Sequence, residues 1–414
     1  MNLTKNGSLT IRHATVVHPD DGGTESDRRI QIVNGFIASI EADDSSAVDE
    51  ATEVDAAGQY AIPGLIDGHV HAYAAPSAKL GTVRDLSPAY VTAYATQVLS
   101  NMLDRGFTTV RDVGGADFGL SAALEEGLIE GPRLMFGGKA LSQTGGHGDL
   151  RPPGREIQDP HYAVPGLARL CDGITEVRRA ARDELRRGAD HLKIMISGGC
   201  GSPTDRVDSL QFSDEEIIAI VAEATAAKRY CAGHALTAEA VNRGLKLGVR
   251  SIEHGNLLDE SSIKLFLAHD AFYVPTLITY VAWAEDGERL GLAGDELDKI
   301  LTVVDQAFDA LRMADEAGVS IAFGSDLIGA MHPRQSDEFA LRAKVQTPAA
   351  ILRSATTVGA KLLQREGELG VLAPGAAGDL LLLRENPLQS VQSLAKPESG
   401  ISLVAQSGVI RRRR

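Results

Sequence analysis

The 414-residue chain has three cysteines, one tryptophan and no CxxC pair. Cys171, Cys200 and Cys231 are far apart in sequence, which argues against a disulfide scaffold and for a reducing compartment, here expected to be the cytoplasm. No run approaches the roughly 18 apolar residues of a membrane span. The opening MNLTKNGSLT contains no apolar stretch of the secretory-signal kind. Positive charge is in deficit: 41 Lys and Arg against 56 Asp and Glu leave a net charge of −15, which weighs against nucleic acid or an anionic membrane as partner. The run RRRR at 411–414 is expected to be a solvated terminus, and no helical repeat of 20–50 residues is evident.

What is present is a change of grammar along the chain. The first sixty residues alternate β-formers with turns such as DDGG, NG and AAG, and NGF at 34–36 signals a hairpin. The C-terminal GVLAPGAAGDLLLLRENP and ISLVAQSGVI resume that pattern. Between them strand-like runs (YAIPGLIDGHVH, FTTVRDVG, RLMFGGKAL, HLKIMISGG, RYCAGHAL, RSIEHGN, FYVPTLI, IAFGSDL) alternate with helical stretches. SDEE at 213–216 has the Ser-x-x-Glu spacing of a capping box. The expected architecture is a (β/α)8 TIM barrel over 62–366 and a small β-sandwich domain formed by both termini, 1–61 and 367–414. A doubly wound open sheet has the same strand count and stays open at this point.

In such a barrel the chemistry sits at the C-terminal strand ends. His69 and His71, in HVH, end the first strand on one face, because side chains two apart in a strand point the same way. Lys193 lies within the fourth, His234 ends the fifth, His254 the sixth and Asp326 the eighth. Each alone has an ordinary explanation: a lysine escaping to the surface, a histidine paired with Glu253, an aspartate capping a loop. Together, six such residues at equivalent heights point to one metal centre. Imidazole nitrogen and carboxylate oxygen suit Zn²⁺ and other borderline divalent ions. A bound divalent ion lowers the pKa of water from about 15.7 to around 7, and Asp326 is placed to pass the proton to a leaving group.

The ordered set HVH, isolated strand-four lysine, His, His and final Asp resembles the amidohydrolase superfamily over nearly the whole chain. PGLIDGHVH, GFTTVRDVGG and IEHGN carry that resemblance. LSQTGGHGD, KIMISGGCGSPTD and VPTLITY are similar to its branch of metal-dependent carboxypeptidases and prolidases related to imidazolonepropionase. The resemblance implies two divalent ions, Zn²⁺ being expected, bridged by a CO2-derived carbamate on Lys193. It implies that His69, His71 and Asp326 bind one ion, His234 and His254 the other, and Lys193 both.

Two more residues are candidates for holding substrate. His147 lies in the Gly-rich loop after strand three, within reach of a substrate carbonyl or carboxylate, or is simply an exposed loop histidine. Tyr230, four residues before His234, shares its strand face and is either a core aromatic or a holder of the free carboxylate, as such residues are in the resembled enzymes. Arg155, His161 and Arg206 share the loops of the same rim. The expected reaction is hydrolysis of an amide or peptide bond beside a C-terminal carboxylate: an Xaa-Pro or other dipeptide, or an N-acyl amino acid, including aromatic amides such as ochratoxin-like mycotoxins. Carbamate or urea hydrolysis is an alternative on the same scaffold. A deaminase or cyclic-amide hydrolase is another, against which Lys193 counts. A non-enzymatic solute-binding role would leave the six strand-end residues unexplained. The partner is expected to be a small molecule, and the assembly a homo-oligomer.

Overall fold

A computed structural model describes residues 7–44, 52–74, 77, 83, 86–151, 154, 166–287, 289 and 294–414. Eight parallel strands close a barrel. They are Leu65–Val70, Phe107–Asp112, a third strand in two pieces (Arg133–Phe136 and Ala140–Ser142), Leu192–Met195, Cys231–Thr237, Ser251–Leu257, Phe272–Val274 and Ser320–Ile321. Neighbours pair in parallel around the ring. Closure is by backbone bonds past the short last strand: the Gly68 N–H donates to the Phe323 carbonyl (2.8 Å) and the Asp326 N–H to that of His69 (2.8 Å). The barrel expected from strand alternation is therefore present, and the open sheet is not.

The termini build the second unit. Leu9–Val17, Thr24–Val33, Phe36–Ala42, Thr52–Asp55 and Tyr60–Pro63 join Leu380–Leu383, Ile401–Gln406 and Val409–Arg413 in one eight-stranded sheet, the β-sandwich part of the fold. Val33 pairs with Phe36 across Asn34 and Gly35, both at positive φ (50° and 85°), the two-residue hairpin that Asn-Gly favours. LLLL at 380–383 shows no polar alternation because both faces are covered. Leu380 and Leu382 enter the sandwich core, while Leu381 and Leu383 enter the core shared with the barrel.

Two details depart from the sequence expectations, and a third matches them. The run YAIPGLIDGHVH is two strands, one in each unit, divided at Gly64, where a side chain would collide with Thr108. The terminal arginines are not a solvated tail: Val409–Arg413 is a paired strand, and Arg412 bonds Asp104 and Glu130. The capping box at Ser213 is present with both reciprocal bonds, as its spacing requires.

Candidate metal centre and active site

The barrel mouth opens into a cavity of about 700 Å³, counting its entrance, and His69, His71, His147, Lys193, His234, His254 and Asp326 all line it. One ligand atom from each of His69, His71 and Asp326 lies within 4.8 Å of the others. Asp326 Oδ1 is 3.2 Å from both His69 Nε2 and His71 Nε2, and its Oδ2 is 3.7 Å from His254 Nδ1. The imidazoles of His254 and His234 follow, ring centroids 4.6 Å apart, with His69 to His254 at 5.0 Å. The imidazoles around it hold the Asp326 carboxyl well below the usual range despite its burial.

The ring nitrogens that face away from the cavity are tied down. His69 Nδ1 is 2.7 Å from Glu253 Oε2, His71 Nδ1 is 2.9 Å from the Gly114 carbonyl, and His234 Nε2 is 3.2 Å from the Gly198 carbonyl. Carboxylate and carbonyl oxygens only accept, so each of these nitrogens carries its proton and the opposite nitrogen is turned to the cavity. His69 Nε2 is buried and, although near Asp326, has no hydrogen bond of adequate geometry. Burial and neighbouring cations push His234 and His254 well below the ordinary imidazole pKa, keeping them neutral. Imidazoles oriented by their outer nitrogens, a carboxylate and a converging geometry are a donor set that fits a divalent ion, which would displace the proton that Asp326 favours on His71.

Lys193 is 2% exposed and has no hydrogen bond or ion pair among the described residues. Burial lowers its pKa to about 8, offset in part by Glu253 and Asp326. A buried amine of that kind is nucleophilic and costly to leave alone.

Backbone strain brings two neighbouring residues to one side. His254 has φ +74°, so the strand's alternation breaks there, and Glu253 and His254 both point inward. The ordinary alternative for His254, an ion pair with Glu253, is absent. Glu253 instead accepts from His69, from Arg111 Nη2 (2.8 Å) and from Ser251 Oγ (2.7 Å). Thr276 and Asp326 also sit at positive φ (47° and 53°), so three successive strand ends are strained where the site is assembled.

His147 is part of the mouth. Its ring stacks on His234 (centroids 4.2 Å, 19° between planes), and its Nδ1 is 2.7 Å from Ser202 Oγ, itself bonded to Asp205. A side chain at Gly199 would collide with this imidazole. Tyr230 is not brought to the mouth. It immediately precedes strand five, at the opposite end of the barrel, packed among Phe272, Val274, Ala322 and Leu362 and stacked on His191. The expectation that it holds substrate is corrected by that position. Arg206 is exposed and paired with Asp208; Arg155 and His161 lie outside the described residues. Arg111, Ser202 and Asp205 were not foreseen from the sequence, and Glu253 was foreseen only as a partner of His254; their only sequence signal is a charged or polar residue inside or just after an apolar strand.

The class follows from comparison with known proteins. The amidohydrolase family profile matches residues 60–409, and the chain belongs to that family: it is a metal-dependent hydrolase of C–N bonds. Among its relatives, ochratoxinase from Aspergillus niger is 30% identical over 419 residues, covering 96% of this chain and 85% of that protein. A prolidase crystallised with N-methylphosphonate-L-proline superposes with TM-score 0.95 at 41% identity, over 98% of this chain and all (100%) of the other. A Xaa-Pro dipeptidase with methionine in its active site gives TM-score 0.88 at 30% identity, over 98% and 100% of the two chains. No described helix is long and apolar enough to cross a membrane.

Proposed function

We propose that the chain hydrolyses the amide bond between an acyl or aminoacyl group and an amino acid bearing a free carboxylate. Xaa-Pro dipeptides, other dipeptides and N-acyl amino acids, aromatic amides of the ochratoxin kind among them, are the substrate class. The observation that carries this reading is Lys193: a buried amine without a hydrogen bond or ion pair among the described residues, lining one cavity with four strand-end imidazoles and a carboxylate. Carbamylated by CO2, Lys193 would carry the anionic oxygens needed to hold two divalent ions, Zn²⁺ being the expected metal. His69, His71 and Asp326 would hold one, His234 and His254 the other. Divalent ions bound there supply Lewis-acid polarisation and lower the pKa of water to about 7.

The chain's own groups do the rest. Asp326 turns Oδ1 toward His69 and His71, which leaves Oδ2 to take a proton and return it to the departing amine. With Nδ1 committed to Ser202, His147 offers Nε2 to the substrate carbonyl or carboxylate. Leu150, Leu167, Tyr280 and Trp283 line the same cavity and exclude water from the apolar part of the substrate. The three free cysteines are buried, in keeping with a cytoplasmic location, and a homo-oligomer is proposed on the general preference for symmetric assemblies.

The test is a panel of Xaa-Pro dipeptides, other dipeptides and N-acyl amino acids, each with its methyl ester, set beside ureas, carbamates and nucleobases, with the Zn²⁺-loaded protein. Turnover of free-carboxylate amides, about two divalent ions per chain by metal analysis and loss of activity on chelation are the expected outcome. Ammonia release from nucleobases without amide cleavage, or full activity in metal-free protein, overturns the reading.

A further inference from the structure

The helix Leu277–Asp286 starts in an unusual way. An N-cap threonine ordinarily sits in extended backbone and accepts a first-turn N–H with its hydroxyl. Thr276, at the N-cap here, has left-handed backbone (φ 47°, ψ 48°) and makes no side-chain cap. Its Oγ1 is 2.8 Å from His254 Nδ1 instead. A β-branched residue in the left-handed region is strained and persists only when its surroundings impose it. The first-turn amides of the helix, released from their usual cap, need another acceptor.

Glu338 supplies that acceptor from a distant helix, Asp337–Arg342. Its Oε2 accepts the Ile278 N–H at 2.7 Å, and the Leu277 amide also favours its charged form. Its side chain is fully buried, its Oε1 has no hydrogen-bond partner among the described residues, and Arg342, Asp67 and Tyr273 are ionisable groups nearby. Burial raises its pKa to about 7. A buried carboxyl with half its acceptor capacity unused is unfavourable in itself. What it fastens is the turn at Thr276, and the same helix presents Tyr280 and Trp283 to the cavity.

We propose that Glu338 is a positioning residue: by capping the helix at Ile278 it fixes Thr276, and through the Thr276 hydroxyl it fixes the ring of His254. The proposal rests on the reading of His254 as a ligand of one of two ions. Glu338→Ala removes the acceptor, whereas Glu338→Gln keeps a carbonyl oxygen for the amides. Thr276→Val removes the hydroxyl, whereas Thr276→Ser keeps it.

Zn²⁺ retention against a competing chelator is the primary readout, with kcat and KM on the best amide substrate as the second. Glu338→Ala and Thr276→Val are expected to weaken one of the two ions by about tenfold or more, the usual effect of losing a residue that orients a ligand. They should lower kcat with KM little changed, and Gln and Ser should restore parental retention. A folded Glu338→Ala that holds both ions as tightly as the parent overturns the proposal, as does equal loss in Glu338→Ala and Glu338→Gln. If Glu338→Ala does not fold, the Thr276 pair decides: Thr276→Val retaining both ions also overturns it. His254→Asn separates the two readings. Unchanged metal retention in that variant sinks the assignment of His254 itself, while loss there with retention in Glu338→Ala sinks only the role of Glu338.

Discussion

Arg111 and Lys193 are both buried cations of the barrel interior, and their surroundings differ completely. Arg111 gives Nε to the Gly68 carbonyl (2.5 Å), Nη1 to Ser251 Oγ (3.1 Å) and Nη2 to Glu253 Oε1 (2.8 Å). Glu253 in turn is saturated by Arg111, Ser251 and His69. Lys193, in the layer that forms the mouth, has no hydrogen bond or ion pair among the described residues. A buried charge whose nitrogens are all hydrogen-bonded is part of the framework. A buried amine without such bonds, set among converging imidazoles and a carboxylate, is the pattern of a functional site. His191 is one exception below the mouth. Both its ring nitrogens lack partners among the described residues, and burial holds it neutral against the face of Tyr230, as an aromatic filler.

The largest expected effect is at Lys193. Lys193→Ala removes the group proposed to bridge both ions, and the several kcal/mol that metal catalysis supplies correspond to a fall in kcat/KM of roughly 10³-fold or more. Partial rescue by millimolar short carboxylic acids, with metal content restored in parallel, is the accompanying signature. A Lys193→Ala variant with parental metal content and activity would erase the contrast between the two layers.

Arg111 comes next, and the effect should appear in a different measurement. Arg111→Met leaves the Glu253 carboxylate buried without its strongest partner, which typically costs about 3–5 kcal/mol. Denaturant unfolding should show that loss, and added Zn²⁺ should recover only the part due to binding. If Arg111→Met unfolds at the parental midpoint while losing metal, Arg111 belongs with the site rather than with its support.

How much of this was legible depends on the kind of information each residue carries. His69, His71, His234 and Asp326 could be placed from the alternation of strands and helices, because a parallel barrel puts every C-terminal strand end at one mouth. His254 was assigned to the right strand, but the period of two cannot foresee a left-handed residue that turns His254 and Glu253 to the same side. Arg111 and Glu253 are 142 positions apart, and nothing local to either tells a paired buried charge from an unpaired one. The terminal arginines failed for the same reason, since Asp104 and Glu130 become their partners only in the fold. The hold of Ser202 and Asp205 on His147 depends on loop geometry that no periodicity encodes.

Tyr230 sharpens the comparison with the smallest effect. Period-two reasoning put it correctly inside the barrel but carried no information about height. Four strand residues at about 3.3 Å each separate it from His234 by about 13 Å, and its surroundings are Phe272, Leu362 and His191 rather than the cavity. Its hydroxyl lies near Arg111, which lowers the phenol's pKa somewhat against the larger raising effect of burial. Tyr230→Phe should therefore cost at most about 1 kcal/mol of stability, the worth of one buried polar contact, and leave KM for a free-carboxylate substrate unchanged. His147→Ala should instead raise KM for that substrate while leaving the unfolding midpoint near that of the parent. Were Tyr230→Phe to raise KM as His147→Ala does, the phenol would have to reach the substrate, and the division between mouth and support would fail at that residue.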